Sequence, residues 1–332
     1  MSTRRAVRIG LLGCADIALR RMVPAFRATA ETTLVVVASR DPITARRVAD
    51  SAGCAAAADY RSVLERPDVD AVYLPLPVAL HAEWTERALR AGKHVLVEKP
   101  MTADPQDTTA LLALAAGRGL VLRENVMFVH HAQHRYVREL VAEGAIGELR
   151  AFSAAFTVPA LPPGNIRYRP ELAGGALLDI GLYPLCAAQR FLGRDLAVVG
   201  AHSRTHRTHG VDIAGSALLA GPDDVTAQIV FGMDHSYRSG YELWGSTGSI
   251  SVDRAFAPPT DHAPVLRLAD RSGARDIRLE PDDQYVNSVR AFAAAVTAAD
   301  TPPPPVDPVA LARLMRDVRR AAAAPDRRGA RT

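Results

Sequence analysis

The 332-residue chain is poor in cysteine and in aromatic side chains, with 3 cysteines and 5% Phe, Trp and Tyr together. Cys14, Cys54 and Cys186 lie far apart and form no Cys-x-x-Cys pair, which argues against a disulfide framework or a thiolate zinc site. No uninterrupted apolar run reaches the roughly 18 residues that would cross a bilayer. Arg4-Arg5 lead directly into a strand pattern, with no apolar core of a signal peptide between. No membrane partner is therefore expected, and the expected compartment is the cytoplasm. The formal charge is +4, but basic residues gather at the ends, at Arg4 and Arg5 and again at Arg319, Arg320, Arg327, Arg328 and Arg331. No basic patch is interleaved with aromatics, so no nucleic-acid partner is expected. An anionic small ligand such as a nucleotide suits the balance equally well.

What is present is the composition of an ordinary soluble globular chain, 48% hydrophobic and 23% charged, long enough for two domains. Through residue 123 the chain alternates strands and helices. Strands are expected at Val7–Leu12, Thr33–Ala38, Ala71–Leu74, His94–Val97 and Leu120–Arg123. Helices are expected over Ile17–Phe26, Thr44–Ala52, His81–Ala91 and Pro105–Arg118. Near-continuous apolar strands alternating with helices predict a parallel sheet covered on both faces. After residue 123 come helices at His134–Glu143 and Gly174–Leu192, with a strand at Leu149–Thr157 between them. Successive strands follow from Ala197 to Leu268, then helices at Gln284–Ala299 and from Pro308 onward. Short turns between those strands predict a mostly antiparallel sheet. The expected division is 1–123 and 124–332.

Three motifs carry chemistry. Gly13-Cys14-Ala15-Asp16-Ile17-Ala18 occupies the place of the Gly-x-Gly-x-x-Gly fingerprint, keeping only its first glycine. It is either a pyrophosphate cradle at a helix N-terminus or a plain strand-to-helix turn. Arg20 and Arg21, one turn on, reach phosphate or face solvent. At the end of the second strand, Ser39-Arg40 match a ribose 2′-phosphate and favour NADP(H), although Asp41 could serve a 2′-hydroxyl. Glu98-Lys99-Pro100 ends a strand at the carboxyl edge of the sheet, where open α/β sheets bind ligands.

With the Gly13 turn, Leu76-Pro77 followed by His81, and Gly92-Lys93-His94-Val95-Leu96-Val97-Glu98-Lys99-Pro100, the chain resembles the glucose–fructose oxidoreductase / inositol dehydrogenase (Gfo/Idh/MocA) family. Gly174-Gly175-Ala176-Leu177-Leu178-Asp179-Ile180-Gly181-Leu182-Tyr183 is similar to that family's substrate-domain helix. The resemblance implies an α/β fold: an N-terminal Rossmann domain with a doubly wound parallel sheet, and a C-terminal domain with a large open, mostly antiparallel sheet. It also implies a homo-oligomer, dimer or tetramer.

Within the family, the Cys14–Ala18 turn, Ser39-Arg40 and tyrosine at 183 look most like the sugar 3-ketoreductases of antibiotic deoxysugar pathways. These use NADPH to reduce C3 of a dTDP-3,4-diketo-2,6-dideoxyhexose, leaving the 4-keto sugar. The alternatives are an NAD(P)-dependent dehydrogenase of a free sugar, cyclitol or dihydrodiol, or a non-catalytic NADP-binding regulator. A regulator would be expected to lose the Lys99/Tyr183 pair.

By this resemblance Gly13, Cys14, Ala15, Asp16, Ile17, Ala18 and Arg20 line the pyrophosphate, and Ser39 and Arg40 hold the 2′-phosphate. Tyr60, Leu76, His81 and Glu98 lie along the cofactor, with Arg167 and Asp179 near the nicotinamide. Lys99 and Tyr183 are the candidate proton donors, since both side-chain types have reference pKa values near 10. Lys99 is favoured because an ammonium also stabilises a forming alkoxide; Tyr183 then orients the carbonyl and Asp179 positions Lys99 or the substrate. Tyr237 and Tyr241 could stack on the thymine or reach phosphate. The resemblance further implies a cis Lys99–Pro100 bond, against about 5–6% for X–Pro bonds generally. His130, His131, His134, His202, His206 and His209 sit in loop-like surroundings, and the metal-free mechanism is complete, so no metal is expected.

Overall fold

The structure is a computed structural model that describes residues 5–323; the expectations resting on Arg4, Arg327, Arg328 and Arg331 lie outside the described residues. The chain runs β1 (Val7–Leu12), α1 (Val23–Arg27), β2 (Thr32–Ala38), α2 (Pro42–Ala52), β3 (Ala55–Ala56), α3 (Tyr60–Leu64), β4 (Ala71–Leu74), α4 (His81–Arg90), β5 (His94–Glu98), α5 (Pro105–Gly117) and β6 (Leu122–Asn125). It continues through α6 (Ala132–Ala142), β7 (Leu149–Thr157), α7 (Leu182–Leu192), β8 (Ala197–Thr205), β9 (Asp212–Ala220), β10 (Thr226–Gly232), β11 (Arg238–Gly245), β12 (Gly248–Asp253), β13 (Val265–Asp270), β14 (Gly273–Arg278), α8 (Gln284–Thr297) and α9 (Pro308–Ala323).

The first sheet has order β3-β2-β1-β4-β5-β6, and every neighbouring pair is parallel. That is the doubly wound Rossmann order. Its strands are apolar without alternation because both faces are covered. On β4, Val72 and Leu74 join one buried cluster with Val63, Leu89, Val95 and Leu111. Between them Tyr73 points to the opposite face, edge-on to Phe26 at 5.5 Å.

The second sheet has order β14-β13-β12-β11-β7-β10-β9-β8. It is antiparallel throughout except for the parallel pair β7–β10. Helix α7 packs on β7 and β10 and buries Leu182, Tyr183, Leu185 and Cys186. The helical stretch Pro170–Leu192 is long and apolar enough to cross a membrane, but 72% of its apolar window is buried inside the protein, as in a core helix.

The division of the chain differs from the expected single boundary after residue 123. One compact unit comprises residues up to Ala132 together with Asp282–Pro308; the other comprises Gln133–Pro281 and the chain from Val309. Helix α8 thus belongs with the Rossmann sheet. It buries Tyr285, Val289, Phe292 and Ala293, donates Ser288 Oγ to Asn125 Oδ1 at 2.7 Å, and lays the Tyr285 ring 5.5 Å from the Arg21 guanidinium. Order along the chain carries no sign of which sheet a late amphipathic helix will cover.

Candidate active site

The turn after β1 is built around one glycine. Gly13 N donates to Ala38 O at 2.9 Å, tying β1 to β2. Its φ is +112°, and a Cβ there would stand 2.8 Å from Leu76 Cδ2, so both the backbone and the space require glycine. The helix that follows begins at Asp16 and passes through a π-helical stretch, Ala18–Met22, before α1. The glycine turn and the helix start directly after it make an anion cradle, which fits a dinucleotide pyrophosphate. Ala18, at the third glycine position, is fully buried, so a methyl is accommodated there. Arg20 pairs with Asp16 at 3.0 Å, both more than 70% exposed, and a pair that open holds little energy against a competing anion. Arg21 is taken up by Tyr285.

The end of β2 separates the candidate ribose contacts. Asp41 caps α2: its carboxylate accepts from Ile43 N at 3.1 Å, Thr44 N at 3.2 Å and Thr44 Oγ1 at 2.5 Å. The Thr44 hydroxyl, then the Ile43 amide, hold it below the ordinary carboxylate range. Ser39 and Arg40 stand just before this cap, Arg40 exposed. Burial pushes the Cys14 thiol up, while the Ser39 hydroxyl and the Arg47 charge pull it back. Tyr60 is buried edge-on to Trp84 at 5.1 Å, and its hydroxyl meets the Arg40 backbone. Cys14, Ser39, Arg40 and Tyr60 therefore lie close together. Arg47 joins them; in the sequence Arg46-Arg47 look like ordinary surface charge on a helix.

At the β5 edge the Lys99–Pro100 peptide is cis. His81 is fully buried, with Nδ1 2.8 Å from Pro100 O and Nε2 2.7 Å from Leu76 O. Burial lowers its pKa against the pull of these two carbonyls. Both ring nitrogens face the protein's own backbone, so His81 acts by holding Leu76 and Pro100 rather than as a direct cofactor ligand. Glu98 departs from the expectation in the same way: its Oε1 accepts from Tyr73 Oη at 2.7 Å and from Asn125 Nδ2 at 2.6 Å inside the sheet. Glu124, which the sequence reading passed over, accepts from Met101 N at 2.8 Å, and burial pushes its carboxyl up to about 7.

The second motif is held by backbone fit. Gly175 has φ +126°, and a Cβ on Gly174 would meet Arg167 O at 2.5 Å. Asp212, on β9, accepts from Leu177 N at 2.6 Å and from the Ala176 amide, capping the helix that carries Asp179 and Tyr183. Asp179 forms an ion pair with Arg167 Nε. The Tyr183 ring lies edge-on to Phe156 at 5.1 Å and 5.9 Å from Phe256, so its body is core. Tyr237 is 47% exposed. Tyr241 is buried with its hydroxyl 2.9 Å from His134 Nδ1, which rules it out as a surface for stacking thymine. No group of metal ligands occurs among the described residues.

Residues 7–126 match the oxidoreductase family with an NAD-binding Rossmann fold, GFO/IDH/MocA, and residues 134–251 match the GFO/IDH/MocA C-terminal domain. A dTDP-3,4-didehydro-2,6-dideoxy-alpha-D-glucose 3-reductase of Streptomyces violaceoruber is 57% identical over 298 residues, 90% of this chain and 87% of the relative. The chain belongs to the GFO/IDH/MocA family. Another member, the reductase of the same description from Saccharopolyspora spinosa, is 51% identical over 295 residues, 89% of each chain. Among solved members, KijD10, a 3-ketoreductase from Actinomadura kijaniata in complex with NADP and TDP-benzene, superposes with a TM-score of 0.93 at 48% identity. That match covers 95% of this chain and 98% of the other.

Proposed function

We propose that the protein is an NADPH-dependent 3-ketoreductase that converts a dTDP-3,4-diketo-2,6-dideoxyhexose to the dTDP-4-keto-2,6-dideoxyglucose of deoxysugar biosynthesis. One observation carries the reading: a Lys99 strand end beside an anion cradle, in a chain 57% identical to a reductase described for that sugar. Gly13 and the residues from Cys14 to Arg20 hold the pyrophosphate, and Ser39 with Arg40 holds the 2′-phosphate. When bound, NADPH supplies the hydride that reduces the C3 carbonyl carbon. Lys99 donates its ammonium proton to the resulting alkoxide, whose charge it also stabilises. The Tyr183 hydroxyl orients the carbonyl, and Asp179, paired with Arg167, positions the substrate. Tyr237 is exposed enough to meet the nucleotide part of the substrate.

The reading includes a homo-oligomer, dimer or tetramer. Leu218, Val230 and Trp244 are exposed, and strand register puts them on one face of the large sheet, where a second copy would cover them. It also includes a cytoplasmic site of action, which suits three free cysteines.

The test follows absorbance at 340 nm with purified protein, NADPH and freshly generated dTDP-3,4-diketo-2,6-dideoxyglucose, repeated with NADH. NADPH oxidation with a 4-keto-2,6-dideoxy product is the expected result. No turnover, but NADP+ reduction on adding a free sugar or cyclitol, would move the protein to the dehydrogenase alternative.

A further inference from the structure

Two histidines of the large-sheet unit face the loop that carries Arg167. β8 and β9 form a hairpin whose strands pair as far as Thr205 opposite Asp212. Its turn is closed on itself: His206 N donates to Val211 O at 2.8 Å and Gly210 N to His206 O at 3.0 Å. His206 Nδ1 also accepts from Thr208 N at 3.2 Å and His209 N at 3.3 Å. This fold of the turn brings the two imidazole rings to 4.5 Å. Both rings meet Tyr168, His209 stacked at 5.2 Å and 21°, His206 tilted at 5.6 Å. Among the described residues no group of metal ligands includes either histidine.

Tyr168 follows Arg167 in the loop between β7 and the Gly174-Gly175 pair. Its hydroxyl accepts from Leu161 N at 3.1 Å, which ties the loop to its own start. Arg167 N donates to Asn165 Oδ1 at 3.0 Å, and Gly175 N donates to Arg167 O at 2.9 Å. The same hairpin reaches the partner of Arg167, because Asp212 accepts from Leu177 N at 2.6 Å in the helix that carries Asp179. One hairpin thus holds Arg167 through Tyr168 and Asp179 through Asp212.

We propose that Tyr168 is a positioning residue for the Arg167–Asp179 pair, clamped on a platform made by His206 and His209. The proposal rests on the reading of that pair as part of the substrate site. Ring pairs at these separations attract one another beyond their burial. Two such contacts, partly open to water, favour the clamped loop by about tenfold. When they are lost, the substrate binds only the clamped fraction of molecules, so its apparent affinity falls in proportion while the bound complex is unchanged.

The test measures kcat, KM for dTDP-3,4-diketo-2,6-dideoxyglucose and NADPH affinity in the wild type, Tyr168→Leu, Tyr168→Phe and His209→Ala, with hydrogen exchange followed along each chain. His209→Ala removes one ring and keeps the main-chain bonds of the turn. KM should rise about tenfold in Tyr168→Leu and about threefold in His209→Ala, with kcat and NADPH affinity within about twofold of the wild type. Tyr168→Phe, which keeps the ring, should recover most of the loss. Exchange should quicken at residues 161–175 and stay unchanged elsewhere. A fall in kcat at unmoved KM would overturn the proposal, as would exchange quickened throughout, the mark of a residue that only supports the fold. A wild type without turnover on this sugar would overturn the substrate reading and this proposal together. An active wild type with an unmoved KM in Tyr168→Leu would overturn this proposal alone.

Discussion

Replacing Arg40 with alanine should weaken the use of NADPH and spare NADH. The structure sets the sign at the end of β2. Asp41, the acidic residue that could serve a ribose 2′-hydroxyl, has its carboxylate committed to Ile43 N, Thr44 N and Thr44 Oγ1 at the start of α2. The nearby charges left to meet the 2′ position are the guanidinium groups of Arg40 and, from α2, Arg47. A hydrogen bond to a charged group contributes about 1.5–3 kcal/mol, and guanidinium with phosphate is a bidentate match. Arg40 is exposed, and water screens the pair, so the lower half of that range applies. That is roughly a ten- to fortyfold fall in kcat/KM for NADPH. NADH has no 2′-phosphate and should change by less than about twofold. Steady-state kinetics at 340 nm with both cofactors, at fixed ionic strength, reads the difference directly. An equal fall with both would show that Arg40 supports the fold or the shared part of the cofactor, and the charge argument would fail.

Lys99→Ala should lose at least about a hundredfold in kcat, the ordinary contribution of a general acid, while binding NADPH within about twofold; single-turnover kinetics with a fluorescence titration separates the two. Asp212→Ala removes the acceptor of the Leu177 and Ala176 amides. It should cost about 2 kcal/mol of stability in urea denaturation and lower kcat, because the helix start bearing Asp179 loosens; Asp212→Asn should restore most of both. Asp70 gives a pH-dependent case away from the site. Its carboxylate accepts from Arg8 Nη2 at 2.7 Å, Arg8 Nε at 2.9 Å and Arg8 N at 2.9 Å, and the Arg8 side chain chiefly holds it at about 2, against an ordinary 3.8. A depressed carboxyl contributes stability that is present above the unfolded value and lost as pH falls through the folded one. Asp70→Asn should therefore cost about 2 kcal/mol at pH 7 and progressively less as pH falls through 2, seen as wild-type and variant denaturation curves that converge on acidification; a constant gap would refute the linkage.

Elements whose sequence and burial agree were legible. β4 and β7 occur at the expected residues, Ala71–Leu74 and Leu149–Thr157, one a short apolar run and the other an alternating one. The apolar pattern predicts β6 over Leu120–Arg123, but the strand runs Leu122–Asn125. Its last residues are polar and buried, and they are satisfied by Met101 N, Glu98 and Ser288. A hydrophobic pattern cannot reveal a strand that ends in its own hydrogen-bond network, and Glu124 was missed for the same reason. β14, Gly273–Arg278, is mostly exposed and polar; pairing with β13 makes it a strand, since its side chains carry no apolar alternation. The short α3 depends on a cap, Asp59 to Ser62 N at 2.8 Å, rather than on periodicity. At the site, residues defined by backbone geometry, such as Gly13 and Gly174-Gly175, could be read from sequence. His81 and Glu98 could be located but their partners could not, because those partners are main-chain and side-chain groups far away in sequence.

The two motifs that carried the family resemblance share a backbone device that neither periodicity shows. Each has a π-helical turn near the start of its helix, Ala18–Met22 in one and Leu177–Gly181 in the other, and such turns recur at functional sites. In a regular α-helix, Asp179 and Tyr183 are four residues apart and would share a face. Across the π turn their environments differ. Asp179 stays partly open and pairs with Arg167, whereas the Tyr183 ring is packed with Phe156 and Phe256. A ring packed in this way holds its hydroxyl in one orientation, which suits the proposed role of orienting a carbonyl. The proposed role of Tyr183 as the group that orients the carbonyl rests on how firmly its ring is held.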